Sequence, residues 1–150
     1  MNPARVAEWQ QIIDKQPPVT TLALGRALSW SRTGGVLQLE GRSPEMNNRY
    51  WGAFFASGNS LYIKKLLDLV PFAEERNDFN LWATGAMAKW SLAINARQHV
   101  HVQVILEEEK NRADKRTQKL IDELLTRDPA RIGQEMADTY TKQKAAGKWK

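Results

Sequence analysis

The stretch YWGAFFASGN, residues 50–59, decides how the middle of this chain folds. Its large apolar side chains recur at helical spacing, and Gly58 then supplies the left-handed conformation that ends many helices. Upstream, Ser43 can cap this helix, with Pro44 at the first helical position. Downstream, LYIKKLLDLV (residues 61–70) predicts a second helix. Two helices joined by so few residues pack as an antiparallel hairpin.

A third predicted helix, FNLWATGAMAKWSLAINARQ at residues 79–98, is apolar on most of its sides. Lys89 is the only charged side chain between Asp78 and Arg97. A helix of this kind is typical of the middle of a bundle. Gly85 costs about 1 kcal/mol relative to alanine in a helix interior. We therefore expect Gly85 to permit the close approach of a neighbouring helix.

The flanking regions are less uniform. Asn2 and Pro3 can begin an N-terminal helix that ends before Pro17. The sequence of residues 20–42 is compatible with either a helical or an extended conformation. The alternation of VHVQVI at residues 100–105 leaves a short strand open as well.

The segment from residue 107 to 127 is charged and strongly helical, and we expect it to project into water or to be broken by a turn. Opposite charges four residues apart predict three ion pairs, namely Glu108–Arg112, Lys119–Glu123 and Glu123–Arg127. Asp128 and Pro129 repeat the pattern of cap and proline, and they predict a last helix that frays after Gly147.

Together these patterns predict an all-α protein of about six helices in antiparallel hairpins, either a bundle or a short, tetratricopeptide-like α-solenoid. No self-similarity at a 34-residue period is readable. We expect residues 1–140 to form a single helical domain and residues 141–150 to be a basic, frayed tail.

The composition excludes several classes of protein and favours none. The chain has no cysteine, so disulfides and cysteine-ligated metals are excluded. No apolar run approaches the ~20 residues needed to span a bilayer. The N-terminus lacks the apolar core of a secretory signal, which favours a cytoplasmic protein, although a mature exported chain, periplasmic or secreted, would look the same.

The net charge of +5 is concentrated at the C-terminus. The last twelve residues contain four lysines and no acid, namely Lys142, Lys144, Lys148 and Lys150. This tail is either a solvated terminus or a weak contact for nucleic acid or an anionic membrane surface.

No catalytic signature or nucleotide-binding loop is present, and no catalytic residue or cofactor is predicted. The two histidines, His99 and His101, share a face only in a strand, and two ligands do not complete a zinc site. No metal site is therefore predicted. His99 is instead expected to end the third helix, where it can bond free carbonyls or favour the negative end of the dipole.

A thin polar stripe on the third helix is the main candidate site, formed by Thr84, Ser91, Asn95 and Gln98. The stripe either satisfies buried backbone groups of a neighbouring turn or recognises a partner's peptide backbone or carboxylate in a groove. In the second interpretation Lys89, which stands off the stripe, supplies charge. The aromatic side chains at helical spacing are expected to point inward rather than to stack on nucleic acid, and they include Trp9, Trp51, Phe54, Phe55, Trp82 and Trp90.

Two stretches, WGAFFASGNSLYIKKLL (51–67) and AKWSLAINARQHVHV (88–102), resemble a group of helical, tetratricopeptide-like bacterial proteins of unknown function. The shared pattern is Trp-x-x-Phe-Phe-Ala-Ser/Thr-Gly, then Tyr-Ile, and later Ala-Lys-Trp-Ser-Leu-x-x-Asn-Ala-x-x-His. The resemblance implies a repeat-like helical fold of small exported or accessory proteins, and no known activity. It draws attention to Trp51, Gly58, Lys89, Trp90, Asn95 and His99.

The leading functional expectation is a non-enzymatic module for protein–protein interaction, such as an adaptor, an accessory subunit or an immunity-type protein of a bacterial complex. Its surface would be the groove beside the third helix together with residues 107–127. The candidate binding residues are Lys89, Ser91, Asn95, His99 and Trp51. The alternative is a binder of an anionic ligand, nucleic acid or membrane surface through the basic tail, with a steep salt dependence.

Overall fold

The structure, a computed structural model, describes residues 41–149. These residues form six α-helices and one 3-10 helix, with no strand among them. In chain order they are α1 (Pro44–Ser57), α2 (Leu61–Leu69), the 3-10 helix (Val70–Glu74), α3 (Phe79–Gln98), α4 (Val100–Arg112), α5 (Lys115–Thr126) and α6 (Pro129–Ala145). The all-α prediction is confirmed. The predicted N-terminal helix, Trp9 and most of segment 20–42 lie outside the described residues.

The helix boundaries follow from local chemistry. Gly58 has φ of 69°, and its N–H donates to the carbonyl of Phe54 over 2.7 Å, which closes α1 as predicted. An aspartate precedes each of α3, α5 and α6. The carboxylates of Asp78, Asp114 and Asp128 accept backbone N–H groups of the first turn. Asp114 therefore caps a new helix, α5, directly after α4 ends. The long charged segment is broken by a turn at this residue.

Helix α3 is the centre of the bundle, because it contacts every other described element. The main core contains side chains from all six helices, from Met46 in α1 to Ile132 in α6. Ala88, Leu92 and Ala93 of α3 are fully inaccessible to solvent. The central position predicted from the apolar character of residues 79–98 is confirmed.

The 3-10 helix packs directly on Gly85. A Cβ atom at this position would lie 2.1 Å from the backbone nitrogen of Ala73 and 2.4 Å from the carbonyl carbon of Phe72. Real Cβ atoms do not approach other atoms so closely, so only glycine fits at this contact. The expected close approach of a neighbour is confirmed, although the neighbour is a 3-10 segment rather than an α-helix.

The possible strand at residues 100–105 is absent, because α4 begins at Val100. The alternating sequence still buries Val102, Ile105 and Leu106, which lie on one side of a helix. Of the three predicted ion pairs, only Glu123–Arg127 occurs among the described residues. Arg112 lies 3.7 Å from Glu109 instead of pairing with Glu108. Glu123 binds Lys89 as well as Arg127, and Lys119 has no ion pair in the described part of the chain.

The C-terminus differs from the expected frayed tail. Helix α6 continues past residue 141 to Ala145, and Trp149 is only 3% exposed. The indole of Trp149 packs on that of Trp82 with centroids 4.5 Å apart, and its Nε1 donates to the carbonyl of Arg76 over 3.2 Å. These contacts of the buried indole attach the end of the chain to the beginning of α3.

Candidate functional site

The five candidate binding residues do not form one site. Trp51 and Ser91 meet directly, since the indole Nε1 donates to the serine Oγ over 2.9 Å. Lys89 points to α5, where its Nζ lies 2.9 Å from Glu123. His99 lies at the end of α3 and contacts a different aromatic ring. The structure therefore separates Lys89 from the other candidates, while Phe55 links the ring of His99 to that of Trp51.

Three of the four residues of the polar stripe on α3 form side-chain hydrogen bonds within the fold, whereas the fourth, Gln98, is exposed. Ser91 Oγ donates to the carbonyl of Ala88 over 3.2 Å while it accepts from Trp51. Asn95 Nδ2 donates to the carbonyl of Ser91 over 2.9 Å. Thr84 is fully buried and bonds back to the carbonyl of Asn80 over 2.7 Å. These bonds favour the structural interpretation of the stripe.

Lys89 belongs to an ion-pair network between α3, α5 and α6. Glu123 accepts from Lys89 and from Arg127, and Arg127 also binds Glu135. Partial burial by itself raises the pKa of Glu123, but the hydrogen bonds from Lys89 and Arg127 outweigh it and hold the pKa below its ordinary value. The ammonium of Lys89 is thus already paired and does not stand free beside Ser91 and Asn95.

His99 separates α3 from α4. Its backbone N–H donates to the carbonyl of Asn95 over 2.9 Å, so it ends α3 as predicted. Its ring lies edge-on to Phe55 with centroids 5.1 Å apart, and the ring of His101 stacks on Phe54 at 5.7 Å. These two contacts hold the beginning of α4 against the end of α1.

Three large apolar side chains beside these rings are exposed. Phe55 is 54% exposed, Val100 75% and Val104 42%. We call Phe55, Val100 and Val104 the apolar patch. Phe55 contacts His99, which directly precedes Val100 in the chain, and Val104 lies one turn further along α4.

Sequence reasoning did not identify Val100 and Val104 as surface residues, because their alternation with polar residues was also compatible with a short strand. Had α4 been assigned as a helix, burial of Val102 and Leu106 would have placed both valines on its outer side. The prediction that the aromatic rings point inward holds for Trp51, Phe54 and Trp82 and is wrong for two others. Phe55 is exposed in the patch, and Trp90 covers Gly133 of α6 while it keeps 41% of its surface exposed.

A second aromatic surface lies where α6 meets the beginning of α3. Phe79 and Tyr140 are partly exposed around the buried pair Trp82 and Trp149. The ammonium of Lys144 lies 5.6 Å from the ring centroid of Tyr140. Exposed rings beside a lysine can accept an anionic or aromatic ligand.

No group of three metal-ligating side chains occurs in residues 41–149. None of the helices in that range combines the length and the apolar character needed to cross a bilayer. Comparisons of the chain with family models, curated proteins and solved structures found no match.

Proposed function

We propose that this chain is a non-enzymatic helical module that docks a protein partner on the apolar patch. The observation that carries the proposal is the exposure of Phe55, Val100 and Val104 in a fold that buries most of its other large apolar side chains. Neighbouring apolar groups left in contact with water are typical of interaction sites, whereas isolated exposed residues are common everywhere.

The base of the patch favours binding because it is already ordered. Phe55 stacks on Trp51 with centroids 5.6 Å apart and lies edge-on to Phe54 at 5.4 Å. Trp51 is in turn bonded to Ser91 of α3. A partner that covers Phe55 therefore does not have to order a mobile side chain, which reduces the entropy lost on association.

The patch replaces the groove beside α3 as the proposed surface, because Ser91 and Asn95 are engaged within the fold. His99 remains part of it through its contact with Phe55. The proposed role is that of an adaptor, an accessory subunit or an immunity-type protein. Membership of the helical bacterial group that shares the WxxFFASG pattern remains part of this proposal.

Site-specific photo-cross-linking tests the docking surface. A photoreactive amino acid replaces Val100, and a matched control places it at the exposed Asp138 on α6. We expect the photoreactive residue at position 100, but not at position 138, to form a discrete covalent adduct with a protein partner. The additional substitution Phe55→Asp should abolish this adduct. A position-100 sample that yields no adduct beyond the control contradicts the proposal.

A second candidate function, binding of an anionic ligand, is favoured by the basic end of α6. Lys142, Lys144 and Lys148 are exposed, and Lys144 lies over the partly exposed ring of Tyr140. The test is Lys→Gln at all three lysines, because truncation would also remove the buried Trp149. We expect the triple variant to weaken binding of a single-stranded oligonucleotide or anionic vesicles and to flatten the salt dependence. Equal binding by the variant and the unmodified chain excludes this function.

A further inference from the structure

The outer side of α4 carries one continuous line of exposed residues. Val100, Val104, Glu107 and Asn111 are all exposed, and they follow one another at intervals of four, three and four. Residues at these intervals lie above one another along one side of an α-helix. We call these four residues the α4 line. Its first half is apolar and begins directly after His99, which contacts Phe55, and its second half is polar.

Contacts with neighbouring helices leave this line facing outward. Glu109, on the side of α4 that carries the buried Val102, lies 2.9 Å from Lys64 of α2. On one flank, Lys110 pairs with Asp122 of α5. The side opposite the line is buried in the core. The buried side of α4 and these two ion pairs therefore fix which residues face outward, and the line is a presented surface.

The second half of the line carries uncompensated negative charge. Glu107 accepts a hydrogen bond from Gln103 Nε2 over 2.9 Å, and this donor is neutral. Its neighbour Glu108 is also exposed. Within residues 41–149 neither carboxylate has a cation within 4.0 Å, whereas the adjacent Glu109 has two.

A second copy of this chain fits the α4 line poorly. Parallel pairing of two such lines would place Glu107 opposite Glu107, where like charges repel. Antiparallel pairing would place Val100 and Val104 opposite Asn111 and Glu107, which would bury polar groups against apolar ones. The line instead matches a helix that is apolar beside the valines and cationic beside the acids.

We propose that the α4 line binds an amphipathic helix of a partner protein. That helix carries two apolar residues four positions apart against Val100 and Val104, and lysine or arginine about one turn further along, against Glu107 and Glu108. This inference rests on the proposed function and names the chemistry of its partner. The apolar contacts supply affinity, and the two acids select the partner and its orientation.

Three synthetic helical peptides of about 18 residues test it. The first has two leucines four positions apart and two lysines on the following turns; the second has glutamate in place of lysine; the third has the leucines moved to the opposite side. We expect the full chain to bind the lysine peptide at least about tenfold more tightly than either of the others. Calorimetry or fluorescence anisotropy measures the three affinities.

Charge reversal sharpens the test. Glu107→Lys combined with Glu108→Lys should invert the preference, so that the glutamate peptide becomes the tighter ligand. Val104→Asp should weaken binding of the lysine peptide by about tenfold. The matched control, Glu74→Lys with Asp138→Lys, changes the net charge equally at exposed sites away from α4 and should retain the original preference.

The proposal is overturned if the lysine peptide shows no binding at about 1 mM, or if the charge-reversed variant keeps the preference of the unmodified chain. Cross-linking from position 100 distinguishes failure of this inference from failure of the proposed function. If Phe55→Asp abolishes the adduct but the peptides show no preference, the apolar patch still docks a partner, and that partner has a different chemistry. If neither the adduct nor the peptide preference is observed, the proposed function is overturned as well.

Discussion

The indole nitrogen of Trp51 donates a hydrogen bond to the hydroxyl of Ser91 over 2.9 Å and thereby joins α1 to α3 across forty positions of sequence. Both residues were candidates for a binding groove. Their contact instead fixes the base on which Phe55 stacks. Trp51 and Ser91 therefore support the exposed ring of Phe55.

We expect Ser91→Ala to lower the free energy of unfolding by about 1–3 kcal/mol, because the partly buried indole N–H of Trp51 loses its acceptor. Urea denaturation followed by circular dichroism measures the change. The control is the same substitution in a Trp51→Phe background, where no indole donor remains and the cost should be clearly smaller. Equal costs in the two backgrounds would show that the hydrogen bond does not contribute.

We expect Gly85→Ala to destabilise the protein by more than about 3 kcal/mol, because the added methyl group would overlap the backbone of Ala73 and Phe72. Gly52 in α1 is the matched control, since a Cβ there meets no atom within 4 Å. Gly52→Ala should stabilise the protein by about 0.5–1 kcal/mol through helix propensity. Thermal unfolding of the two variants should therefore shift in opposite directions. Similar shifts would contradict the close contact of the 3-10 helix with α3.

We expect Trp149→Ala to cost about 3 kcal/mol, because it removes a buried indole that packs on Trp82. Lys148→Ala, at an exposed neighbour, should remain within about 0.5 kcal/mol. Amide hydrogen exchange gives a second measurement, since loss of Trp149 should reduce protection at the end of α6 and the beginning of α3. Unchanged protection in Trp149→Ala would indicate that the C-terminal residues are frayed after all.

The Lys89–Glu123–Arg127 network predicts a pH dependence of stability. The pKa of Glu123 in the folded protein lies below its ordinary value of 4.5, because two cations stabilise the ionised form despite partial burial. Its contribution to stability is therefore present above about pH 4.5 and is lost as the pH falls through the lowered folded-state pKa. We expect Glu123→Gln to make the decline in stability between about pH 5 and pH 3 less steep.

Glu108→Gln is the control for this experiment, since it removes an exposed carboxylate that has no ion-pair partner in the described part of the chain. Denaturant midpoints at a series of pH values give the slopes. If Glu123→Gln and Glu108→Gln change the slope equally, the network does not couple protonation to folding.

The helical class and most helix boundaries were predictable because they depend on nearby residues. Gly58 ends α1 through its own backbone conformation, and Asp78 begins α3 by accepting a backbone N–H three residues ahead. The beginning of α4 was harder to predict, because the valines that alternate around His101 have the two-residue period of a strand. The break at Asp114 was left open, since a continuous charged helix has the same local pattern.

The candidate site could be predicted only in part. Trp51 and His99 do lie beside the apolar patch, but Lys89 does not, because residues 89 and 91 point to nearly opposite sides of a helix. The frayed tail was expected because lysines dominate its composition. Burial of Trp149 against Trp82 could not be predicted, since the two residues lie far apart in sequence and meet only when α6 packs on α3.

The sequence by itself determined the positions of α1, α3 and α6, through caps, prolines, a left-handed glycine and the apolar period of α3. These are interactions within a few residues, and they operate before any helix meets another. Only the tertiary structure decided which side of each helix remains in contact with water. That choice depends on which neighbours cover it, so Ser91 became a support for Trp51, Gly85 a contact for the 3-10 helix, and Val100 and Val104 an exposed surface.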